Sequence, residues 1–449
     1  MKGTYSMKAF FAEEVLLSTE AAIALYQGVK DLPIIDYHCH LNEREIQNDY
    51  RFSDLGELWL GGDHYKWRAM RICGVDEKYI TGNATYAEKY RKYAEIFPRL
   101  CGNPLYYWTQ MELKILFGIT EPLSAESADR ILEAANKQLK SMTVRDILKK
   151  FKVEYIATTD DATAALDAHG DYGDTQVRPT FRPDKLLAMD ADELKKLETV
   201  CNTKIDTLCA LKVALEDRVA YFRAKDCRIA DHGMDFLPLP DCGEAVAAEL
   251  FARRDQLSDV EKRQLSSHLL CYLASLYAKE DMVMQLHFAT YRCVNSAMLP
   301  VTGRDSGFDI MRGEVDTDAL VVFLDTLQSR NALPKTVLYT LNPSAVPALA
   351  TLSGAFRNVR VGAAWWFNDT VLGIRKQLET VAEYAALGTN LGMLTDSRSF
   401  ASYARFDFFR RILADLVGGY VERGEYDLEQ AKALMTQVSY TNIKEFLNL

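Results

Sequence analysis

The sequence lacks the features that mark secreted and membrane-spanning proteins. Its nine cysteines are scattered through 449 residues with no Cys-x-x-Cys spacing, which indicates reduced thiols rather than a disulfide framework. No apolar run reaches the ~18–20 residues that cross a bilayer. The first residues, Met1 to Phe11, lack the basic, apolar and small-residue order of a secretory signal. We therefore expect a cytoplasmic protein that does not contact a membrane.

The sequence also lacks an excess of positive charge. Lysine and arginine together number 53 against 63 aspartates and glutamates, which gives a net charge of −10. Such a protein is a poor general binder of nucleic acid, because the phosphates of nucleic acid attract basic surfaces. An anionic small-molecule substrate is compatible with this charge, since a local group of arginines can bind one whatever the total.

Neither internal repeats nor linkers rich in proline, glycine or serine divide the chain. What recurs is a short apolar run followed by a helical pattern, and such runs are typical of parallel strands buried on both faces. The eight predicted strands are Pro33–Tyr37, Val153–Thr158, Val177–Phe181, Arg228–Ala230, Met282–Leu286, Thr336–Leu341, Arg360–Ala364 and Leu391–Leu394. Eight strands that alternate with helices predict an α/β protein, a (β/α)8 barrel.

One connection is too long for a simple crossover. About 115 residues separate the first two strands, where a crossover needs about a dozen. They read as helical, with clear helical patterns over Tyr86–Ile96 and Ser127–Gln138. We predict a barrel domain of residues 1–40 and 151–449 and an inserted helical subdomain of residues 41–150, on the catalytic side of the barrel.

The residues that follow the first and the last predicted strand form a candidate metal site. His38 and His40 end strand one, and positions two apart in a strand face the same side, so two imidazoles converge at the barrel mouth as ligands for a divalent metal. Strand eight ends at Asp396, which either completes the ligand set, acts as a general base, or assists Ser399 in capping the next helix.

The Asp160–Asp161 pair after strand two is expected to cap a helix over residues 162–169.

Other strand ends carry polar or aromatic side chains whose roles stay open. His287, after strand five, is a metal ligand, a proton donor or a core histidine. Arg182, after strand three, either binds a carboxylate or phosphate or pairs with Asp184. Trp365–Trp366, after strand seven, belong to the core or form a wall against the C–H face of a sugar. In the insertion, Asp63–Arg68 combines donors, charges and aromatic rings in a way unusual for a helix that only packs.

Taken together, these strand ends resemble those of uronate isomerase, the glucuronate isomerase branch of the amidohydrolase superfamily. The resemblance covers essentially the whole chain, in order and in register with the predicted strands. The matching segments are Leu17–Ala22, Ile34–Leu41, Asp63–Arg71, Thr158–Asp161, Phe181–Asp184, Gln285–His287, Gly307–Asp309, Trp365–Asp369 and Gly392–Phe400. The His-x-His pair alone would indicate only the superfamily, whereas the combination is highly specific.

The resemblance implies a distorted (β/α)8 barrel with a helical insertion after strand one. It implies an isomerase that interconverts D-glucuronate with D-fructuronate and D-galacturonate with D-tagaturonate. The family's metal ligands fall on His38, His40 and Asp396, and its substrate contacts on His64, Tyr65, Arg182, His287 and Arg398, with Trp365 and Trp366 nearby. We expect a divalent ion, zinc before others, no organic cofactor, a hexuronate as the small-molecule partner, no nucleic acid, and a homo-oligomer.

The chain departs from the family pattern after His287. The family usually continues there with Ile/Val-Gly-Ala-x-Arg-Asn, whereas this chain has the bulkier Phe288–Cys293. The change spares the candidate catalytic groups and bears on which uronate is preferred.

The chemistry of isomerisation sets the roles that these residues must fill. A proton moves from C2 to C1 while the carbonyl moves from C1 to C2, so a base must take the proton and the developing enediolate needs stabilisation. Asp396 is the first choice for the base, and Tyr65 or His287 would carry the hydroxyl proton. Arg182 and Arg398 would hold the substrate carboxylate.

Two alternatives remain at this stage. A metal-dependent hydrolase of the same superfamily would need a bridging lysine and a further histidine on the middle strands, but strand four ends without a lysine and strand six offers Asn342 instead of a histidine. A sugar-acid-binding protein without catalysis would keep the scaffold only, which does not explain why every candidate site residue is present.

Overall fold

The computed structural model describes residues 9–449, and its strands follow the predicted order for most of a barrel. The strands are β1 Ile34–Asp36, β2 Val153–Ala157, β3 Asp160–Asp161, β4 Gly170–Tyr172, β5 Thr175–Arg178, β6 Thr180–Arg182, β7 Ile229–Gly233, β8 Val283–Phe288, β9 Thr290–Tyr291, β10 Ile310–Met311, β11 Thr336–Thr340 and β12 Val359–Val361. Seven of the eight predicted strands are thereby found, including the short one before Asp231.

The parallel strands form two ladders that continue each other. One ladder runs β1-β2-β5 and the other β3-β6-β7-β8-β11-β12, with β4 added antiparallel to β5. Because β3 follows β2 and β6 follows β5 directly along the chain, the ladders join into one run of parallel positions from β1 to β12. Pro179 separates β5 from β6, since proline has no N–H to donate to the ladder. The architecture is a distorted (β/α)8 barrel.

The prediction of an eighth strand over Leu391–Leu394 is wrong, because this segment forms no ladder with any strand that the structure describes. Its backbone is turned out of the extended region at Gly392, where φ is +75°. The chain still meets β1 just beyond the segment. The Asp396 N–H donates to the His38 carbonyl at 3.1 Å, and the His40 N–H donates to the Ser397 carbonyl at 2.9 Å. These bonds bring the candidate ligands side by side.

The helices are α1 Glu20–Val29, α2 Glu43–Gln47, α3 Leu55–Leu60, α4 His64–Ile72, α5 Tyr86–Ile96, α6 Pro104–Phe117, α7 Ala128–Leu139, α8 Val144–Lys150, α9 Asp184–Leu187, α10 Ala191–Cys201, α11 Leu208–Ala224, α12 Glu244–Ala252, α13 Asp259–Lys279, α14 Leu299–Thr302, α15 Thr317–Ser329, α16 Val346–Ala355, α17 Val371–Tyr384, α18 Ala404–Glu422, α19 Leu428–Thr436 and α20 Asn442–Phe446. Within residues 9–449, no helix has both the length and the apolar character needed to cross a bilayer.

The long connection between β1 and β2 is helical, as predicted, and holds α2 to α8. Helix α5 begins after a capping box in which the Thr85 side chain accepts from the Glu88 N–H and the Glu88 side chain accepts from the Thr85 N–H. Buried residues then recur on one face of the helix, which packs against α3 and α7. The division into a barrel domain and an inserted subdomain stays a prediction.

The predicted helix over residues 162–169 does not form. Asp160 therefore caps no helix and makes other hydrogen bonds instead. Its carboxylate accepts from the Thr180 N–H at 3.1 Å and from the Thr158 hydroxyl at 2.7 Å, which fastens the end of β2 to β6. A positive φ of +56° at Leu166 is incompatible with a helix there. Ser399 does not cap a helix either, because its hydroxyl donates to the Leu58 carbonyl at 3.0 Å.

The N-terminal helix α1 closes the barrel from outside by packing on α18. The contact is close at Gly418, where any Cβ would collide with the backbone of Ala22. Both helices bury one apolar face here, and Leu25 and Leu413 are fully buried. Because α18 follows directly on the loop that carries Asp396, this packing fixes one wall of the candidate site.

Candidate active site

The predicted metal ligands meet at the barrel mouth. His38 Nε2 and His40 Nε2 lie 3.2 and 3.1 Å from the same atom, Asp396 Oδ1. The other carboxylate oxygen, Oδ2, accepts a 2.7 Å hydrogen bond from Trp365 Nε1, so Oδ1 is turned toward the imidazoles. Burial alone would raise the pKa of the Asp396 carboxyl, but the contacts with His38 and His40 lower it well below its usual range.

The donor set of this group fits a divalent ion. Two ligand atoms that each lie about 2.0–2.2 Å from a tetrahedral ion are about 3.3 Å apart, close to the nitrogen–oxygen separations found here. Two imidazoles and one carboxylate are ligands that suit zinc and related ions. His38, His40 and Asp396 are therefore the residues that would hold it.

Two other groups of potential ligands are already neutralised by cations. Asp231, which joins His38 and His287 in one group, has its Oδ2 3.0 Å from Arg182 Nη1. In the second group, Asp241 and Cys242 lie in the loop before α12, and His268 lies on α13. There Arg330 Nη1 is 2.6 Å from the Asp241 carboxylate and Lys212 Nζ is 3.0 Å from His268 Nε2. Neither group attracts a further cation as the first does.

Asp231, the middle residue of β7, is fully buried between Arg182, His287 and His38. Its Oδ1 lies 2.7 Å from His287 Nδ1 and its Oδ2 lies 3.9 Å from His38 Nδ1. Burial opposes ionisation, but Arg182 and His287 lower the pKa of this carboxyl well below its usual range. Asp231 was not singled out in the sequence analysis. His232 points the other way, toward Tyr277 of α13, as the period of two along a strand requires.

The hydrogen bond to Asp231 and the burial of His287 set the protonation state and the tautomer of this histidine. Burial lowers the pKa of this histidine to about 4, which outweighs the opposing charge of Asp231. The neutral ring therefore donates its Nδ1 proton to Asp231 and keeps a lone pair on Nε2, which has no partner within the described residues. The ring stacks on Tyr339 at 4.2 Å and meets the edge of Trp365 at 4.7 Å between centroids, so its position is rigid.

Arg182 is held between two carboxylates rather than free at the mouth. Its Nη1 lies 3.0 Å from Asp231 Oδ2, and its Nε lies 2.8 Å from Asp184 Oδ2. Gly233 makes room for it, because a Cβ at that position would collide with Arg182 Nη2. Arg182 therefore pairs with Asp184, as one of the two interpretations predicts, and also with Asp231; its binding of a substrate carboxylate stays a proposal.

Helix α4 supplies the residues that the insertion contributes. Asp63 begins the helix by accepting from the Tyr65 and Lys66 N–H groups at 2.9 and 3.2 Å, and its other oxygen pairs with the buried Lys66 Nζ at 2.7 Å. This cap aims His64 and Tyr65 at the mouth. The His64 ring meets the edge of Trp366 at 5.3 Å, and burial together with Arg398 lowers the pKa of His64 to about 4.

Arg398 is a partly buried cation at the same end of the barrel. Its Nη1 donates to the Asp305 carbonyl at 3.2 Å, and its Nη2 lies 3.3 Å from the Asp305 carboxylate. Asp305 belongs to a loop that docks on α4 at Gly307, where φ is +95° and a Cβ would crowd His64. The Arg398 side chain is itself 32% exposed, so solvent and a small anion can reach it.

Tyr65 has one partner that no sequence pattern pointed to. Its hydroxyl donates to Asp369 Oδ2 at 2.8 Å, and both side chains are buried. Burial and the Asp369 charge raise the pKa of Tyr65 well above its usual range. Asp369 lies in the loop between β12 and α17, where no periodic pattern distinguishes an inward residue, so only its place after the two tryptophans was a signal.

At the carboxyl ends of the strands, the predicted site residues are connected through short contacts, which run from His38 and His40 through Asp396 and the two tryptophans to His64. The two tryptophans connect the metal ligands with α4, since their rings lie 5.9 Å apart and one touches His287 while the other touches His64. Asp231, Asp305 and Asp369 are the residues that the sequence did not single out. The specific roles of the predicted residues stay a proposal.

The chain is similar to known proteins over nearly its full length. A profile of the family described as glucuronate isomerase matches residues 7–447. A uronate isomerase of Caldanaerobacter subterraneus subsp. tengcongensis is 41% identical, with 99% of this chain and 100% of that protein covered. A uronate isomerase of Marinomonas sp. is 42% identical, with 95% and 96% covered.

A solved structure agrees with these sequence matches in both fold and family. The crystal structure of a uronate isomerase from Thermotoga maritima superposes with a TM-score of 0.95 at 33% identity, covering 98% of this chain and 100% of that one. With a full-length profile match, relatives above 40% identity and this superposition, the chain belongs to the glucuronate isomerase family and is an isomerase.

Proposed function

We propose that the enzyme interconverts D-glucuronate with D-fructuronate, and D-galacturonate with D-tagaturonate, at the mouth formed by β1, α4 and the Asp396 loop. The observation that supports this proposal is that three features occur at the carboxyl ends of the strands: a group that could hold a cation, a partly exposed arginine and a protonated phenol. An aldose–ketose uronate isomerase needs all three: charge stabilisation at O1 and O2, a partner for the carboxylate, and a hydroxyl-proton carrier.

We propose a divalent ion, with zinc as the preferred identity, held by His38, His40 and Asp396. When bound, the ion supplies positive charge that stabilises the enediolate as the C2 proton leaves. The other contributions come from the chain. Arg398 binds the carboxylate of the uronate, and the two tryptophans pack against the sugar and exclude water.

The proton transfers are assigned to three side chains. Asp396 is the proposed base for the C2 proton and returns it to C1 on the same face. Its low pKa makes it a weak base in isolation, so His287, whose Nε2 lone pair is free, is the alternative. Tyr65 is the proposed carrier of the hydroxyl proton between O2 and O1. Hydrolysis is not favoured, because the relatives are isomerases and Asn342 replaces the histidine that a binuclear hydrolase would need.

The proposed function is tested by following D-glucuronate and D-galacturonate with purified protein by NMR in D2O. We expect new ketose signals and replacement of the transferred hydrogen by deuterium, to the extent that the base exchanges with solvent. Spectra that stay unchanged for both sugars at high enzyme concentration would contradict the proposal. Line broadening without ketose would indicate a protein that only binds.

The metal assignment leads to a prediction of its own. Purified protein is expected to contain about one divalent ion per chain, and the His38→Asn variant is expected to lose most of it, because removing one of three ligands opens the site. Elemental analysis of both proteins gives the measurement. His268→Asn, in the second group of potential ligands, is the matched control and should keep the ion at His38, His40 and Asp396. Equal metal content in the His38 variant would refute the ligand assignment.

A cytoplasmic location and a homo-oligomeric assembly stay predictions from the sequence and the family resemblance. Cell fractionation and light scattering of the purified protein would test them.

A further inference from the structure

The buried pair of Tyr65 and Asp369 has a geometry that packing alone does not require. The phenol oxygen lies 2.8 Å from Asp369 Oδ2, and the tyrosine stands in the first turn of α4, beside His64 at the mouth. Burying a carboxylate such as that of Asp369 is costly. Here the buried carboxylate accepts the hydrogen bond of the Tyr65 hydroxyl, which the proposed reaction uses.

The surroundings hold both partners in place. The Arg405 guanidinium lies 4.9 Å from the centroid of the Tyr65 ring and 3.8 Å from Asp369 Oδ2, so it supports the ring and offsets the carboxylate charge. On the other side, Asn368 Nδ2 donates to the Leu341 carbonyl at 3.0 Å. The loop that carries Asp369 is therefore fastened to the end of β11, and the carboxylate does not turn away from the phenol.

The direction of the hydrogen bond limits what Tyr65 can do alone. Its proton points at Asp369, so its oxygen can offer a substrate hydroxyl only a lone pair. A lone phenol in this position would have to become a phenolate to take part in transfer, and burial makes that state unfavourable by raising the pKa of Tyr65. A hydroxyl proton can enter Tyr65 only if the phenolic proton leaves on the other side.

We propose that Asp369 is a positioning and relay residue for Tyr65: as the O2 hydroxyl gives its proton to the Tyr65 oxygen, the phenolic proton passes to Asp369, and both return in reverse order when O1 is protonated. The inference rests on the proposed isomerase reaction. Each transfer breaks one O–H bond and forms another, no electron is gained or lost, and the pair ends each turnover unchanged.

The electrostatics of the pair support the relay. Burial raises the pKa of Asp369 to about 6, although Arg405 and the Tyr65 hydrogen bond oppose this. Asp369 is therefore ionised at neutral pH but close enough in proton affinity to accept one transiently. The charged and titratable groups that face it are Tyr65 of α4, Arg405 of α18 and, through space, Asp396.

The Asp369→Asn variant tests the relay, because asparagine keeps the shape and an oxygen for the phenol but cannot hold a proton. We expect kcat for D-glucuronate to fall on the order of tenfold, less than the ~10²-fold of a base that meets the substrate, with KM changed less than about twofold. The wild-type kcat should decline as pH falls below the Asp369 pKa of about 6, because the protonated carboxyl cannot accept a proton. This decline should be absent in the variant.

Tyr65→Phe and the double variant complete the experiment. If Asp369 acts through Tyr65, the double variant is no slower than Tyr65→Phe, whereas independent effects multiply. Asp415→Asn is the matched control: it also removes a largely buried partner of an arginine, Arg375, but on the outer face of the barrel, and should leave kcat unchanged.

The relay is overturned if Asp369→Asn keeps wild-type kcat, if it keeps the decline near pH 6, or if its effect multiplies with that of Tyr65→Phe. Should the asparagine variant not fold, Tyr65→Phe alone decides, because the proposal requires it to lose the decline near pH 6. A wild-type enzyme that isomerises no uronate would instead refute the proposed function, which keeps the two failures apart.

Discussion

The Asp396→Asn variant is expected to lower kcat for D-glucuronate at least ~10²-fold, the usual scale of general-base catalysis. An asparagine side chain keeps the shape and one oxygen, but it does not accept a proton. The structure makes a further loss unavoidable, because Oδ1 serves both imidazoles and Oδ2 serves Trp365. An amide offers one acceptor where the site uses two, so one contact must be given up.

Loss of the ion would imitate loss of the base, so metal content must be measured in the same sample. The decisive measurement is the exchange of the C2 hydrogen with deuterium in a metal-loaded variant. Asp192→Asn, on the exposed first turn of α10, is a control for the change of charge and should be fully active. If the metal-loaded Asp396→Asn variant exchanges the C2 hydrogen at the wild-type rate, another group takes the proton, and His287 becomes the base.

Much of the site could be predicted from the sequence, because in a barrel the position of a residue along its strand determines whether it lies at the active-site end. Strand ends of a (β/α)8 barrel meet at one face, so His38, Arg182, His287 and Trp365 could be grouped from their positions alone. Asp231, which the sequence analysis did not single out, obeys the same rule, whereas its neighbour His232 packs against Tyr277. The period of two along β7 separates them, since only alternate residues face the barrel interior.

The errors fall where the chain leaves regular backbone. Leu391–Leu394 has the apolar composition of a buried strand, but a positive φ at Gly392 prevents a ladder. Asp305 and Asp369 lie in loops, where neither helical nor strand periodicity says which way a side chain points. Their partners, Arg398 and Tyr65, are distant in sequence, and only the folded chain brings them together.

The Arg398→Met variant is the second change with a large expected effect. Methionine keeps much of the length of the side chain and removes its charge, so a uronate loses a charge-assisted hydrogen bond to its carboxylate. Losing such a pair costs on the order of 2–5 kcal/mol, which is about a 30- to 4,000-fold drop in kcat/KM. D-glucose has no carboxylate, so its slow reaction should change little. The preference for glucuronate over glucose should therefore shrink by the same factor.

Comparison with Arg182→Met separates the two arginines. Arg182 pairs with Asp231 and Asp184, so its loss should disturb His287 and slow glucuronate and glucose alike. Arg130→Met, which removes an exposed arginine paired with Glu121, is the control and should change neither rate. If the preference for glucuronate over glucose shrinks in Arg398→Met but not in Arg182→Met, Arg398 is the residue that binds the substrate carboxylate. If the preference shrinks only in Arg182→Met, the carboxylate lies deeper, against β6, and Arg398 serves to hold the Asp305 loop.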